Sequence, residues 1–305
     1  MRKAVTGGVF AVSVTPYFEN GEVDLKAAAE IAQFCISAGC RGLFIAGSTG
    51  DMMLLDRRER STLVQAARRV VPSDIVLLAG ANETSVRATL EMVNSLADAG
   101  ADYAVLTPPQ GMKFSQNELE VWYLTLADKS RLPLFLYHHV HAVTPIAVET
   151  VVRLAQHNNI VGLKETGTDH DRFLALKEST RDENFMILQG CERFVPQSLA
   201  AGCRGTITAL AAVWPEQAMA IWNANQLHKE EEILRQRVLQ LKICEIFDFM
   251  PCDFSSSYFG YTLKQMLVWR GVLKNAYCRM PGFIPDSNYT SQLKEFLKGI
   301  GFPFS

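Results

Sequence analysis

The chain has 305 residues, 48% of them hydrophobic, with 30 Lys and Arg against 32 Asp and Glu and a formal charge of −2. The charges are interspersed, so neither a basic stripe for nucleic acid nor an acidic solvating tail is present. No apolar run approaches the roughly 20 residues that cross a bilayer. The seven cysteines are odd in number, scattered and without a CxxC, which reads as reduced thiols in a cytoplasmic protein.

The first segment, MRKAVTGGVFAVSV, has the outline of a signal peptide, two basic residues ahead of an apolar stretch. Its β-branched residues and Thr-Pro stop favour a first strand over 9–16. Seven more short apolar runs follow, at 42–50, 75–81, 103–109, 132–139, 160–167, 185–191 and 205–212. Their spacing leaves room for one helix after each strand. Asp24 is placed to cap a helix that stops at Gly39, and Thr84 or Ser85 to cap one that stops at Gly100. Ser115 with Glu118 three residues on has capping-box spacing.

Near-continuously apolar strands alternating with helices specify a parallel sheet covered on its outer face. Eight units favour a closed (β/α)8 TIM barrel over an open doubly wound sheet, and no GxGxxG follows the first strand. Apolar spacings of three and four then continue through QAMAIWNANQLHKEEEILRQRVLQLKICEIFDF and FGYTLKQMLVWRGVLK. The expected organisation is an α/β barrel over 1–225 and a C-terminal helical bundle over 226–305.

In such a barrel the reactive groups sit at the C-terminal ends of the strands. There, IVGLKETGTD (160–169) puts a lysine inside an apolar run, although an ammonium costs several kcal/mol to bury unpaired. Alternation groups Ile160, Gly162 and Lys164 on one face and Val161, Leu163 and Glu165 on the other. With the first set inward, Lys164 points into the barrel mouth. Tyr137 ends the adjacent strand, about 4.8 Å away. The GSTG turn, with Gly47, Ser48 and Thr49, ends strand two and offers hydroxyls and free N–H groups to a carboxylate. A desolvated amine has a larger neutral, nucleophilic fraction. With a phenol and a carboxylate cradle, these are the parts that handle a 2-oxo acid by imine formation. Taken singly, a strand lysine more often snorkels or pairs, here with Glu165, and a mouth tyrosine more often packs. The joint placement on strands two, five and six favours chemistry.

The stretches GVFAVSVTPYFENGEVD, GLFIAGSTGD, LLAGANETSVRATLEMVNSLADAGAD, LFLYHHV, GLKETGTD and AAGCRGTITALAAVWPE run over essentially the whole chain. They resemble the pyruvate-dependent class I aldolases that include dihydrodipicolinate synthase and N-acetylneuraminate lyase. That resemblance implies Lys164 as the imine-forming lysine and Tyr137 as the proton shuttle. It also implies Ser48 and Thr49 as the carboxylate-binding pair and Ile207 as pocket wall. It further implies a small-molecule 2-oxo acid as partner, a homotetramer, and no metal or organic cofactor.

Several residues depart from the synthase pattern. Pro109 and Gln110 stand where tyrosines of a proton relay are expected, and Gln110 can only hydrogen-bond the substrate. His138 replaces an asparagine, Ala142 stands near the position of an arginine that holds the aldehyde's carboxylate, and Asp51 shortens the usual acid of strand two. Thr166, Glu192 and Thr208 fall near positions that contact a sugar chain in the lyase branch, and their groups suit a polyol. The expectation is a lyase for a 2-keto-3-deoxy acid or sugar acid. The alternatives are condensation of pyruvate with aspartate semialdehyde, a dehydratase or hydratase using the same imine, and a small-acid-binding regulatory barrel. His138, His139 and His141 also raise a metal site. However, alternation separates His138 from the other two, and a pocket-lining histidine that protonates the aldehyde oxygen is the favoured reading.

Overall fold

The computed structural model describes residues 7–139, 141–180, 185–248, 250–251 and 256–305. Cys252, and Phe249 at the end of the first expected C-terminal helical stretch, lie outside them. Eight strands form a closed barrel in sequence order. They are β1 (Gly8–Val12), β2 (Gly42–Ile45), β3 (Val76–Gly80), β4 (Tyr103–Leu106), β5 (Leu134–His139), β6 (Ile160–Thr166), β7 (Met186–Gln189) and β8 (Gly205–Thr208). All pairings are parallel, and β8 closes on β1.

The first eight helices are α1 (Leu25–Ser37), α2 (Arg57–Val70), α3 (Val86–Ala99), α4 (Gln116–Lys129), α5 (Val148–Leu154), α6 (His170–Ser179), α7 (Val195–Ala200) and α8 (Leu210–Val213). Four more complete the chain: α9 (Pro215–Gln226), α10 (Glu230–Cys244), α11 (Ser256–Trp269) and α12 (Ser287–Gly299). This is a (β/α)8 TIM barrel with C-terminal helices. No described helix is long and apolar enough to cross a membrane.

The helix ends follow local chemistry. Asp24 accepts the Ala27 N–H, Ser85 rather than Thr84 accepts the Ala88 N–H, and Ser115 with Glu118 forms both halves of its capping box. Gly100 closes α3 in the left-handed region at φ 95°. The strands are shorter than the apolar runs, because every run but the fifth, which ends with β5 at His139, extends into the loop that carries the mouth of the barrel. In the eighth run a strand of four residues gives way to α8. The first long C-terminal stretch likewise breaks into α9 and α10 around His228, at φ 51°.

Two apolar clusters result. The larger fills the layer between strands and helices. The smaller fills the barrel with Phe10, Val12, Phe44, Val76, Leu78, Tyr103, Val105, Phe135, Tyr137, Met186, Leu188 and Ile207. Every strand except β6 supplies a fully buried member, since β6 presents Gly162 and Lys164 there instead. A Cβ on Gly162 would come within 2.3 Å of the Phe135 ring, so glycine admits the aromatic side chain from β5 beneath the lysine.

The facing of β6 departs from simple alternation at one point. Its register with β5 shifts: Leu134 pairs with Ile160, but Phe135 pairs with Gly162. The extra residue, Val161, is a bulge. Ile160 therefore joins the outer cluster, away from Gly162 and Lys164.

Candidate active site

Lys164 is 4% exposed, on the inner face of β6, directly across from Tyr137 on β5. Its Nζ lies 4.2 Å from the centroid of the Tyr137 ring and 4.9 Å from that of Phe44 on β2. The ring faces supply partial negative charge, but no hydrogen-bond acceptor of carboxylate strength. The Glu165 carboxylate does not pair with it. Glu165 points to the opposite face, accepting from His138 Nδ1 (2.7 Å), Arg172 Nε (3.1 Å) and the Gly167 N–H (2.7 Å). Arg172 in turn donates to the Ile146 carbonyl at 2.7 Å, tying α6 to the loop after β5.

Above the Tyr137–Lys164 pair, the next inner positions are His139 and Thr166, again paired across the strands. A Cβ on Gly190 would fall 2.5 Å from Thr166 Oγ1 and 3.0 Å from Lys164 Cε. The end of β7 is thus kept bare to make room for both. Thr166 Oγ1 has no partner among the described residues. Glu192 follows β7. One carboxylate oxygen accepts the Leu210 N–H at 2.9 Å, and the other is buried without a partner among the described residues. Burial pushes this carboxyl up to about 7, opposed by the amides of Leu210 and Ala209, the charge of Lys164 and the Thr208 hydroxyl.

The loop after β2 is tightly wound. Ala46 and Asp51 both have left-handed backbones, at φ 51° and 58°. The Gly50 and Met52 N–H groups donate to the Gly47 carbonyl, and the Thr15 hydroxyl donates to that of Gly50 at 2.7 Å. Gly47 sits against the Phe44 ring over which Lys164 lies, so the loop adjoins the amine.

These features place the chain among known proteins. The model of the dihydrodipicolinate synthetase family matches residues 5–300. The chain belongs to this family. A 4-hydroxy-tetrahydrodipicolinate synthase of Natronomonas pharaonis is 34% identical over 79% of this chain and 81% of its own. An L-threo-3-deoxy-hexylosonate aldolase of Hypocrea jecorina is 31% identical over 76% of this chain and 79% of its own. A crystal structure of a prophage protein of the dihydrodipicolinic acid synthase family from E. coli K12, in complex with pyruvate, superposes with a TM-score of 0.91. It covers 98% of this chain and 100% of its own at 23% identity. The protein is therefore a lyase or aldolase of the dihydrodipicolinate synthetase family.

Within that family frame, the residues marked in the sequence divide. Lys164, Tyr137, Ile207, Thr166, Gly47, Thr208 and Glu192 lie in the barrel interior or on the loops at its C-terminal mouth. Ser48 is exposed and lines a cleft of about 210 Å3 with Asp51 to Leu54, Ser257 and Cys278 to Met280, while Thr49 is half-buried. His138 does not join the site. Alternation turns it outward to Glu165, so its place as a substrate contact is corrected, and His139 is the histidine on the inner face. Gln110 is exposed and bends back onto Thr107 Oγ1 and the Pro108 carbonyl. Arg193 pairs with Asp248.

Among the described residues there is no group of three or more His, Cys, Asp or Glu that could hold a metal ion. Two contacts were not read from the sequence: the Glu165–His138–Arg172 cluster, and Lys264 of α11, which is 1% exposed and bonds Asp51 at 3.0 Å. The second anchors the strand-two loop to the C-terminal helices. Its only sequence signal was an unexplained lysine in an apolar helix.

Proposed function

We propose that this protein is a class I aldolase in which Lys164 forms a Schiff base with a 2-oxo acid. It cleaves a 2-keto-3-deoxy acid or sugar acid to pyruvate and an aldehyde, or joins them. The observation that carries this reading is the Lys164 amine, buried inside the barrel over the Tyr137 ring while Glu165 is committed elsewhere. Neutral Lys164 attacks the C2 carbonyl, and its oxygen leaves as water with protons relayed by Tyr137. The protonated imine draws in the C3–C4 bonding pair as the C4 hydroxyl gives up its proton. The aldehyde departs, the enamine takes a proton at C3, and water releases pyruvate from the lysine.

In this proposal Gly47, Ser48 and Thr49 hold the 2-oxo acid carboxylate. Thr166, Thr208 and Glu192 meet the hydroxylated chain, and Ile207 walls the imine. The proposed enzyme needs no metal or organic cofactor, and is a cytoplasmic homo-oligomer, a tetramer by family resemblance. Similarity to the deoxy-hexylosonate aldolase supports the sugar-acid class. Ala142, in place of a cation after β5, and Gln110, in place of a titratable phenol after β4, count against the synthase reaction.

The test is borohydride reduction in the presence of pyruvate, followed by peptide mass mapping. A reduced pyruvyl adduct on Lys164 is expected, and an unmodified lysine would end the reading. A screen of 2-keto-3-deoxy acids for pyruvate release then finds the substrate. Loss of water without pyruvate would redirect the assignment to a dehydratase.

A further inference from the structure

Resting on the aldolase reading and deepening it, we propose that His139 selects 2-oxo acids that carry an uncharged oxygen on C4. It does so by donating its Nε2–H to that oxygen, a hydroxyl in cleavage and an aldehyde carbonyl in synthesis.

Placement comes first. Phe135, Tyr137 and His139 succeed one another on the inner face of β5, and His139 pairs with Thr166 one layer above Tyr137 and Lys164. Two residues of strand raise it about 6.6 Å toward the mouth. A substrate bound through C2 to Lys164 must extend its C4 end out of the closed barrel bottom, toward that layer. The His139 ring stands edge-on to Tyr137 at 5.4 Å, so it borders the space above the phenol.

The tautomer is fixed next. The His141 backbone N–H donates to His139 Nδ1 at 3.1 Å. A nitrogen that accepts carries no proton, so the ring's hydrogen is on Nε2. Among the described residues Nε2 has no hydrogen-bond partner, which leaves this donor for a ligand.

Charge comes third. The groups that face the ring are Tyr137 on its own strand, His141 on the following loop, and Lys164 and Thr166 on β6, while His138 acts on it only from the outer face of β5. Burial, and then the charges of Lys164, His141 and His138, hold the imidazole down to about 4. At neutral pH His139 is therefore an uncharged donor. The sequence suggested a histidine that protonates the aldehyde oxygen, but an uncharged imidazole bound at Nδ1 has no proton of suitable acidity to give. It polarises instead. As the C3–C4 bond breaks, the C4 hydroxyl proton goes to Tyr137, the bonding electrons go to the imine nitrogen, and the C4 oxygen passes through alkoxide character. A fixed N–H stabilises that developing charge. The same neutrality gives a second carboxylate at C4 no counter-charge, which separates this site from one built to hold an acidic aldehyde.

The experiment compares His139→Leu with His139→Gln, whose amide can reproduce the Nε2 donor. With a 4-hydroxy-2-oxo acid found in the screen, His139→Leu should lower kcat/KM by about 10- to 100-fold, and His139→Gln should restore most of it. Borohydride trapping of pyruvate, which has no C4, should fall by less than about threefold in both variants, a gap that loss of a donor to C4 produces and general disruption does not. Nitrogen-15 NMR of the wild-type ring should show an Nε2–H neutral imidazole throughout the neutral range. The proposal is overturned if His139→Leu cleaves as well as wild type, if trapping and cleavage fall together, or if the ring is an imidazolium at pH 7. The NMR result decides even where the leucine variant does not fold. A wild-type enzyme that fails to trap pyruvate removes the aldolase reading itself. One that traps normally, with an indifferent leucine variant, removes only the role of His139.

Discussion

The two faces of β5 and β6 present opposite solutions to burying polar groups. On the inner face, Tyr137, Lys164, His139 and Thr166 carry a phenol, an amine, an imidazole and a hydroxyl with few protein partners. On the outer face, one residue away along each strand, His138 and Glu165 are locked with Arg172 and the Gly167 N–H. Burying a charge unpaired is costly, and pairing one offsets that cost. The inner set accepts the cost where a substrate would supply the missing partners. The outer set closes its hydrogen bonds within the protein and holds the two strands and α6 in register. Reactivity and rigidity are thus separated by a single peptide unit.

This contrast can be broken from either side. The largest effect expected is on Lys164→Met. Cleavage should fall by more than about a thousandfold, while the urea midpoint holds or rises, because an ammonium no longer has to be buried. A variant that is both inactive and clearly less stable would show that the amine is structural. Next comes Glu165→Gln, which leaves Arg172 with a weakened partner. Unfolding free energy should drop by about 3 kcal/mol, read by urea titration, with borohydride trapping surviving in the folded fraction. Unchanged stability would mean that the outer cluster does not clamp the strands.

The smallest effect is in the pH dependence of stability, where the inner groups oppose each other. His139 is held at about 4 against an ordinary 6.5, so the unfolded chain binds more protons between those values and stability rises with pH. Glu192 is raised from 4.5 to about 7, so over that span the folded chain binds more protons and stability falls as pH rises. Between pH 4.5 and 6.5 the two slopes compensate. Glu192→Gln should uncover the His139 slope, giving a stability that climbs across this interval more steeply than in wild type. Parallel curves for the two proteins would deny one of the shifts.

What the sequence made legible was whatever depends on local periodicity. The eight strands, the Asp24 and Ser115 caps, and the placement of Lys164 beside Tyr137 all follow from spacing along a few residues. The carboxylate of Glu165 was legible only as an alternative partner for Lys164, because its true partner, Arg172, lies beyond a loop in the next helix. Lys264 and Asp51 are 213 residues apart, and no local pattern joins them. His138 was placed among the substrate contacts by its position after Tyr137, although strand alternation already assigned the inner face to its neighbour. Ile160 was misassigned for the opposite reason, since alternation fails at the bulge, and the bulge is set by pairing with β5.

That irregularity at Val161 has a consequence for how easily such a barrel changes occupation. Remove this one unpaired amino acid, keep the pairing with β5, and Gly162 and Lys164 still lie across from Phe135 and Tyr137. Remove Leu163 instead, and the lysine would fall across from Leu136 and turn to the helical shell, while the glutamate would take its place in the lumen opposite Tyr137. The catalytic identity of the strand is therefore stored in its residue count beyond the bulge as much as in its residue types, and a minimal deletion there would silence the molecule while sparing its architecture.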